Sequence, residues 1–554
     1  MSKVTKIDFG EDRLISLAAD LVDNHNYIGA LKMLNKNAEA NGNDDDSLML
    51  YAEIYDDLGL YEKCVNGWFK YLDGADFADL SDCYEGLAVS YMNLGNEHYS
   101  AYYYNKLLAE SDDVDGEMRE EILREFVSND DNPLKFSYPP ALEDCSEYIS
   151  NGIAHMKAGE YDKAIEEFEK VGDGNPKYLA ARNYVAMCKI ISDKCEEAEQ
   201  ECLKVLEKYP DDVQALTTLA AVKTEAGKRD EALILAKKLL SLELTDPENI
   251  YKIATVCCEN KLHAEAYGLF KKLTGELEYD LNIMYFKAVS AFNSGKYEES
   301  FSAFDDLCTI YPEAVCARYC YRQARAMKDS GEITELSYFY RLPNEVRESS
   351  IKVLAAYMRL SNTAARKLAC EVDLSECVLW CFDEIEGYGG SELQLLAAQV
   401  AVKAGLDDIV RDVLLDAFAD DRMKLDVLTS LAERNEFNCF GVVVCHVYKR
   451  ITTSALGLGR LKRKNFVQAY ARLVAHFSVL DDENGAIFAE AAEKLYAKLA
   501  DEGRLEDVKN AEVLAAAIYF LSGVNAAGIE GDKIYSFFEV GEEEIQKLIN
   551  GAEL

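Results

Sequence analysis

The chain has 554 residues, 49% of them hydrophobic, and its 100 acidic side chains against 59 Lys and Arg give a formal net charge of −41 at pH 7. This apolar content excludes an intrinsically disordered chain, and only 8 prolines and 32 glycines argue against an all-β protein, whose many turns need those residues. The excess of negative charge disfavours nonspecific binding to nucleic acid or to an anionic membrane, because both surfaces would repel the protein.

The amino-terminal stretch MSKVTKIDFGEDRL predicts neither a secretory leader nor a transit peptide, since it lacks an apolar core and carries Asp8, Glu11 and Asp12. No window approaches about 18 uncharged apolar residues, so we expect no membrane span. The 16 cysteines are spread thinly, no CxxC occurs, and the 6 histidines are scattered, which predicts buried thiols rather than a metal site. We therefore expect a protein of the reducing cytoplasm, with no metal and no cofactor.

A period of 34 residues organises two parts of the chain, about 11–114 and 145–314. Near the amino terminus one pattern occurs twice at this spacing: Tyr27, Ala30 and Leu34, then Tyr61, Cys64 and Trp68. A third unit follows after a two-residue insertion and is built on Tyr84, Leu87, Ala88, Tyr91, Gly95, Ser100 and Tyr104. Further along, three columns of small or apolar residues hold over five units: Gly152, Ala186, Ala220, Ala254 and Ala288; Ala164, Ala198, Ala232, Ala266 and Ser300; Phe168, Cys202, Ala236, Phe270 and Phe304. The columns predict eight units of two short amphipathic helices, which bury their apolar faces only by stacking on one another.

This pattern resembles the tetratricopeptide repeat (TPR) family, in which an aromatic residue, Leu-Gly and Tyr on the first helix precede Ala, Phe and Pro on the second. The match is clear at Ala88, Gly152, Ala164, Phe168, Pro176, Ala266, Phe270, Phe304 and Pro312. It is poor where Arg182 and Leu216 stand in place of the opening aromatic residue. The resemblance implies an all-α fold, a TPR-type α-solenoid that winds helix–turn–helix pairs into a right-handed superhelix. It divides the chain into an array of about three repeats in 1–114 and one of about five repeats in 145–314.

Residues 115–144, between the two arrays, break the period. Their sequence predicts a charged helix at about 115–127, followed by a connection that contains Pro133, Pro139 and Pro140. An acidic stretch punctuated by proline favours a hinge, and an irregular insertion is the alternative.

In the TPR family the first helices line a concave groove that binds extended peptides or partner helices, which implies candidate binding residues here. In the first array the equivalent faces are acidic, because residues three, four and seven apart share a helix face: Asp12, Asp46, Glu53, Asp56, Asp82 and Glu85. In the second array the corresponding face is apolar and aromatic: Tyr184, Met187, Tyr251, Tyr285, Phe286 and Phe292. The Lys/Asn/Arg set with which some family members clamp a carboxylate tail does not occur there. We therefore predict an acidic groove for a basic segment and an aromatic groove for an apolar one, with solvated acids and ordinary packing as the alternatives.

The register fades after Pro312, so residues 315–343 predict a degenerate capping segment and residues 344–554 an irregular all-helical C-terminal region.

Within that region, residues 437–480 contain no Asp or Glu but are rich in Lys and Arg. The sequence KRITTSALGLGRLKRKNF predicts a helix end, a glycine-containing loop and the start of the next helix. Its GLG lacks the other residues of a phosphate-binding loop. The basic contact segment consists of Lys449, Arg450, Arg460, Lys462, Arg463 and Lys464. It is a solvated loop, an intramolecular or homotypic partner for the acidic face, or a contact for nucleic acid.

Residues 511–550 predict an apolar helix, a short helix around Lys533–Phe538, a turn at Glu539–Glu542 and a last helix. The spacing of Ile534, Phe538, Val540, Ile545 and Ile549 resembles a helix-turn-helix, faintly like the cyclin-type repeats of general transcription initiation factors. Three glutamates begin the last helix, and they would repel phosphates. A helical protein-contact module is therefore favoured over DNA reading.

The chain contains no GxSxG, HExxH, Walker or dinucleotide-binding motif, so we predict no catalytic residues and no enzyme. The sequence as a whole predicts a cytoplasmic scaffold that binds protein or peptide partners, including basic ones. Nucleic acid and membranes are disfavoured as partners. Two alternatives stay open: a nucleic-acid-associated regulator acting through 437–480 and the terminal helices, and a self-assembling structural protein. The oligomeric state is not predicted.

Overall fold

The computed structural model describes the following residues, and the structural statements below refer to them: 11–74, 80–110, 122, 148–170, 178–192, 194–242, 246–273, 279–372, 374–383, 390–434, 439–452, 456–477, 483–524, 538 and 540–549. The charged helix expected at 115–127 and the hinge after it lie outside the described residues apart from Ile122. The chain forms two compact units: a middle unit, Ala141–Arg341, and a terminal unit that combines Met1–Pro140 with Leu342–Leu554. The amino-terminal array therefore shares a unit with the C-terminal half of the chain.

The amino-terminal part of the terminal unit contains three helix pairs: α1 (Glu11–Asp23) with α2 (Tyr27–Asn41), α3 (Asp45–Asp57) with α4 (Tyr61–Gly74), and α5 (Ser81–Asn93) with α6 (Glu97–Glu110). Residues of the 34-residue pattern form the contact between the helices and are buried: Ala30, Leu34, Cys64, Trp68, Leu87, Ala88 and Tyr91. The turns inside the second and third pairs contain Gly59 and Gly95 at φ 70° and 71°, a backbone conformation that favours glycine.

The middle unit contains five helix pairs: α7 (Tyr148–Lys157) with α8 (Tyr161–Glu169), α9 (Tyr178–Ile191) with α10 (Cys195–Lys208), α11 (Val213–Glu225) with α12 (Arg229–Leu240), α13 (Pro247–Glu259) with α14 (His263–Lys272), and α15 (Leu281–Asn293) with α16 (Tyr297–Ile310). One further helix, α17 (Val315–Ser330), packs on α16. The alanines of one predicted column are fully buried where the two helices of each repeat meet: Ala164, Ala198, Ala232 and Ala266.

The helix N-caps of the middle unit follow the same period, a regularity that the column analysis missed. Asp212, Asp246 and Asp280 precede α11, α13 and α15 at intervals of 34 residues. Each carboxylate accepts a hydrogen bond from the backbone N–H three residues further on, at 2.7–3.0 Å. Such a cap stabilises a helix by about 1 kcal/mol, so the period fixes helix starts as well as helix contacts.

The C-terminal part of the terminal unit consists of the helices α18 (Asn344–Met358), α19 (Asn362–Ala369), α20 (Ser375–Asp383), α21 (Gly390–Ala404), α22 (Asp407–Leu415), α23 (Asp421–Arg434), α24 (Arg463–Phe477), α25 (Glu483–Asp501), α26 (Ala511–Ser522) and α27 (Glu542–Ile549), a 3-10 turn (Leu505–Asp507), and the strands β1 (Cys439–Val444) and β2 (Val447–Thr452). The last two helices pack on each other. The short helix expected around Lys533–Phe538 lies outside the described residues apart from Phe538.

Residues 439–452 differ from the expected all-helical C-terminal region, because they form an antiparallel hairpin in which Val444 pairs with Val447 and Phe440 with Ile451. The sequence KRITTS therefore ends a strand, where a helix end was expected, and α24 begins at Arg463. The physical reason is the run Val442–Val444 together with Ile451, since β-branched side chains fit a pleated strand and these four are fully buried.

Within the described stretches the cysteines are free thiols, most of them buried. No helix in those stretches is long and apolar enough to cross a membrane. Nor do three His, Cys, Asp or Glu side chains come together there in a way that could hold a metal ion.

Replacing Gly152 by Ala tests the close approach of the helices in the first repeat of the middle unit. An added Cβ would lie 2.4 Å from Cε1 of the fully buried Phe168. We expect the free energy of unfolding to fall by about 1–3 kcal/mol, measured as a lower urea midpoint. Gly268→Ala is the matched control, because Gly268 lies inside α14 and a Cβ there meets nothing within 4 Å. That variant should be more stable by about 0.5–1 kcal/mol. Equal effects of the two changes would contradict the packing argument.

Candidate protein-binding surfaces

Three of the residues predicted for the aromatic groove come together in the middle unit. Tyr251 lies on α13, and Tyr285 and Phe286 lie on the neighbouring first helix, α15. The ring centroid of Phe286 is 6.2 Å from that of Tyr251 and 6.0 Å from that of Tyr285. We call these three residues the aromatic surface.

The other three predicted residues do not contribute to the aromatic surface. Tyr184 and the exposed Met187 lie on α9, two repeats earlier, where Tyr184 stacks on Phe168 at 5.0 Å. Phe292 is only 1% exposed and meets Tyr297 edge-on at 5.1 Å. Tyr184 therefore packs against the preceding repeat, Phe292 packs inside its own repeat, and Met187 is exposed.

An extended part of the same chain lies on the aromatic surface. Helix α17 is followed by Gly331 at φ 77°, and residues 332–341, here the 332–341 segment, continue without a helix. Burial alternates along it as in a β-strand: Leu336 is 5% exposed, Tyr338 and Tyr340 are half-buried, and the residues between them are exposed.

Hydrogen bonds hold the backbone of this segment. Asn293, the last residue of α15, pairs with both backbone groups of Leu336: the Leu336 N–H donates to Oδ1 at 2.8 Å, and Nδ2 donates to the Leu336 carbonyl at 3.0 Å. The Tyr285 hydroxyl donates to the carbonyl of Ser337 at 2.9 Å. Tyr340 meets the Tyr285 ring edge-on at 4.9 Å. Main-chain hydrogen bonds combined with sites for alternate side chains are the way proteins bind extended peptides.

Charged and aromatic side chains from α14 and the turn before it hold one edge of the segment. Lys261 pairs with Glu335 at 2.6 Å, and Nδ1 of His263 lies 2.8 Å from the Tyr338 hydroxyl. Burial lowers the pKa of His263, and a neutral imidazole can accept the proton of that hydroxyl. Both side chains of the ion pair are well exposed, so it contributes little to stability.

The 332–341 segment falls in the predicted capping segment 315–343, for which no role at the aromatic surface was predicted. The alternation of Leu336, Tyr338 and Tyr340 has the period of two that indicates an extended chain. That signal was present, but it covers only a few residues between two long helices.

The residues predicted for the acidic groove lie on α1, α3 and α5. For Asp12 only the helical backbone is described, Asp56 is half-buried, and the remaining four are exposed: Asp46, Glu53, Asp82 and Glu85. Partial desolvation raises the pKa of Glu53, and repulsion by Asp82 and Asp57 raises it further. Glu53 and Asp82 thus lie in one negative field that spans two repeats.

Another part of the first array is covered by the hairpin of the terminal unit. The Tyr103 hydroxyl donates to the carbonyl of His446 at 2.6 Å, and the Tyr91 hydroxyl lies 3.0 Å from Nδ1 of the same residue. The rings of Tyr99 and Phe418 flank the imidazole at centroid distances of 4.4 Å and 5.4 Å. Burial lowers the pKa of His446 to about 4, so the imidazole is neutral near pH 7.

The hairpin and α22 also contact α4. Asp73 accepts hydrogen bonds from the Tyr448 hydroxyl at 2.9 Å and from Nε of Arg411 at 2.6 Å. A Cβ on Gly441 would lie 1.8 Å from Oδ1 of Asp73, so only glycine fits at that point of β1. Lys70 pairs with Asp412 at 2.8 Å. The C-terminal part of the chain therefore occupies a face of the second and third repeats.

The tip of the hairpin is strained and held from several sides. Cys445 and His446 have φ values of 52° and 59°, a conformation that costs a residue other than glycine about 1–2 kcal/mol. The Cys445 N–H donates to Asp421 at 2.9 Å, and the fully buried Lys424 donates to the Val443 carbonyl at 2.6 Å. Lys424 also pairs with Asp421 at 2.7 Å. A buried charge satisfied in this way fixes the turn that presents His446.

The basic contact segment is distributed over three elements. Lys449 and Arg450 lie on β2, Arg460 and Lys462 lie in the loop, and Arg463 and Lys464 begin α24. Some of its residues have partners within the C-terminal region; for example, Lys462 pairs with Glu506 at 3.5 Å, and Arg463 donates to the carbonyl of Leu458 at 3.2 Å. Four of the six are exposed: Arg450, Arg460, Arg463 and Lys464.

Two known families match parts of the chain. Residues 155–222 match the tetratricopeptide repeat, and residues 225–307 match subunit 3 of the anaphase-promoting complex, or cyclosome. The fold is an all-α solenoid of TPR type. The predicted resemblance is confirmed for the matched part of the chain: residues 155–222 are tetratricopeptide repeat sequence.

Solved structures of TPR proteins are similar to the chain at low sequence identity. A TPR protein from Parabacteroides merdae is 18% identical over 50% of this chain and 98% of its own, with a TM-score of 0.23. Yeast Tom70 is 13% identical over 94% of this chain and 97% of its own, with a TM-score of 0.23. The matching chain of the APC/C hetero-tetramer Cut9–Hcn1 is 13% identical over 88% of this chain and 96% of its own, with a TM-score of 0.27. No curated protein matches this chain.

Replacing His446 by Asn tests the docking of the hairpin tip, because Asn tolerates the left-handed backbone but does not titrate. The folded-state pKa of His446, about 4, lies below the ordinary value of 6.5, so its stabilising contribution is present above pH 6.5 and is lost as the pH falls towards 4. Between about pH 7.5 and about pH 5, the free energy of unfolding of the wild type should fall by about 2 kcal/mol relative to that of His446→Asn. Urea unfolding at both pH values measures it, and parallel pH profiles for the two proteins would refute the burial of a neutral imidazole.

Proposed function

We propose that this chain is a non-catalytic cytoplasmic scaffold that binds protein partners on the first-helix surfaces of its repeats. The observation that carries the proposal is the 332–341 segment, which Asn293 and Tyr285 hold by its backbone groups. A surface with the contacts for an extended polypeptide of its own chain has the contacts for one from another protein.

The acidic groove is proposed as a second surface, for a basic segment. Glu53, Asp82 and Glu85 are exposed on adjacent first helices, and after desolvation the repulsion by Asp82 contributes to the raised pKa of Glu53. A Lys or Arg side chain placed among them would relieve this repulsion. The net charge of −41 would also speed the approach of such a partner at low salt.

The non-catalytic part of the proposal is supported by the cause of the pKa shifts of the buried thiols, which is desolvation. Burial raises the pKa of thiols and phenols inside the repeats, as at Cys64, Cys83 and Tyr103. A thiol with a raised pKa stays protonated and is a poor nucleophile. These shifts are what packing inside a repeat produces.

The exposed arginines and lysine of the basic contact segment support the two alternatives, a regulator that contacts nucleic acid and a protein that assembles with its own copies. The same capture experiment separates them from the scaffold. Nuclease treatment would abolish capture by a nucleic-acid regulator, and a salt-dependent oligomer of the purified chain would indicate self-assembly.

The test is cross-linked affinity capture from the native cell with the full chain, with and without nuclease, read out by mass spectrometry. The doubly neutralised variant Glu53→Gln/Asp82→Asn should bind the basic partners about tenfold more weakly, since two desolvated contacts contribute about 1.4 kcal/mol together. Glu371→Gln/Glu392→Gln removes the same charge at exposed positions elsewhere in the terminal unit and should bind like the wild type.

An equal loss of partner binding in both double variants would show that net charge alone attracts the partners, and would refute the acidic groove as a binding surface. Capture that requires nucleic acid would overturn the scaffold.

A further inference from the structure

We propose that the aromatic surface is a binding site for an extended internal segment of a partner protein with the pattern acidic–apolar–x–aromatic–x–aromatic. The 332–341 segment is then a built-in competitor for that site. This inference rests on the proposed scaffold function, and it specifies both the partner's chemistry and the way the site is regulated.

The hydrogen-bonding groups of the surface require an extended partner and exclude a helix. Asn293 needs one donor and one acceptor from the same residue, and both are supplied by the backbone of Leu336. The Tyr285 hydroxyl is buried and needs a carbonyl, supplied by Ser337. The backbone groups inside a helix already bond to one another, whereas an extended chain leaves those of alternate residues free along one edge.

The side chains of the 332–341 segment define the pattern. Leu336 fills the buried position, Tyr338 lies beside His263 and Phe286, and Tyr340 meets Tyr285 edge-on. One residue before Leu336, Glu335 is paired with Lys261.

The site binds an internal stretch of a polypeptide and not a free carboxyl terminus. Asn293 bonds to a residue whose N–H and C=O both belong to peptide bonds, and the segment continues on the surface for four more residues to Tyr340. A free carboxylate at the Leu336 position would not allow this continuation.

The segment itself is held loosely enough to be displaced. Only Leu336 is deeply buried, and two large apolar side chains face away from the surface, Ile333 with 42% and Phe339 with 69% of their area exposed. The ion pair of Glu335 is solvent-exposed. A stretch with few buried contacts opens at a lower free energy than the helices on which it lies. Opening leaves Asn293 without the backbone of Leu336 and leaves the Tyr285 hydroxyl only the weak sulfur acceptor of Cys320, so a peptide that restores the same bonds is favoured over an empty surface.

The test uses the full chain and a fluorescent peptide with the sequence of residues 333–341, ITELSYFYR. In the wild type the segment competes with the peptide. The apparent affinity of the peptide is therefore reduced in proportion to the small fraction of molecules whose segment has left the surface. Leu336→Asp in the chain weakens the competitor and should tighten peptide binding at least about tenfold. Phe339→Asp is the matched control, because it places the same charge on the same segment but at an outward-facing side chain. It should bind the peptide like the wild type.

Two further measurements keep the test decisive. Adding Asn293→Asp to the Leu336→Asp chain removes a donor from the surface and should abolish the gain, and a peptide with Asp at the Leu336 position should not bind. Hydrogen exchange at the amide of residue 336 reports the open state: slow in the wild type and in Phe339→Asp, fast in Leu336→Asp. Leu336→Ala is the second variant, used if circular dichroism shows that Leu336→Asp has lost helix.

The inference is overturned if the amide of residue 336 exchanges its hydrogen rapidly, so that the segment is open, and the chain still does not bind the peptide. The inference is also overturned if two copies of the Leu336→Asp chain swap their segments. Such swapping would appear as a dimer that the peptide does not dissociate. Either outcome removes the aromatic surface from the scaffold proposal, whereas the acidic groove is tested separately, by capture of partners with variants of the terminal unit.

Discussion

The close approach of two helices at a small residue is the contact on which the whole molecule depends. Alanines such as Ala164 and Ala266, on the second helices of their repeats, are fully buried because the close packing against the first helix leaves no room for a larger side chain. A pair built in this way buries one face and leaves the other for the next pair, so an array of pairs always ends in an uncovered face. The middle unit packs α17 on its last pair, and the terminal unit places its hairpin and α22 against α4 to α6.

Buried phenol hydroxyls explain why non-helical chain lies on both arrays. Tyr285 donates to the carbonyl of Ser337 in the extended segment, and Tyr103 donates to the carbonyl of His446 at a hairpin tip. A hydroxyl buried among rings must find an acceptor or lose about 1–3 kcal/mol. Helix interiors have no carbonyl free to offer, whereas an extended segment and a tight turn do. The buried tyrosines of both arrays therefore favour non-helical chain as their covering, through their hydroxyls as much as through their rings.

The helix pairs could be predicted from the sequence because the period repeats the same contact many times, and chance does not reproduce columns such as Ala164 to Ala266. Single events without repetition could not be predicted in this way. The hairpin has no Asn-Gly turn signal: its tip is Cys445–His446, held in a left-handed conformation by Asp421 and Lys424, contacts that only the folded chain reveals. The residues predicted for the aromatic groove are scattered in space, since Phe292 is buried inside its repeat and Tyr184 lies two repeats from Tyr251.

The two candidate surfaces differ in whether their binding groups already have partners in this chain. The aromatic surface is satisfied, with its polar groups bonded and its apolar rings covered, so a partner gains there only by replacing the 332–341 segment. The acidic groove differs, because desolvation and repulsion by Asp82 and Asp57 hold the pKa of Glu53 above its usual range. A cation relieves that repulsion without displacing any part of the chain that the structure places there. Binding at the acidic groove should therefore depend on salt, and binding at the aromatic surface on the open fraction of the segment, which separates the two by measurement even when both bind one partner.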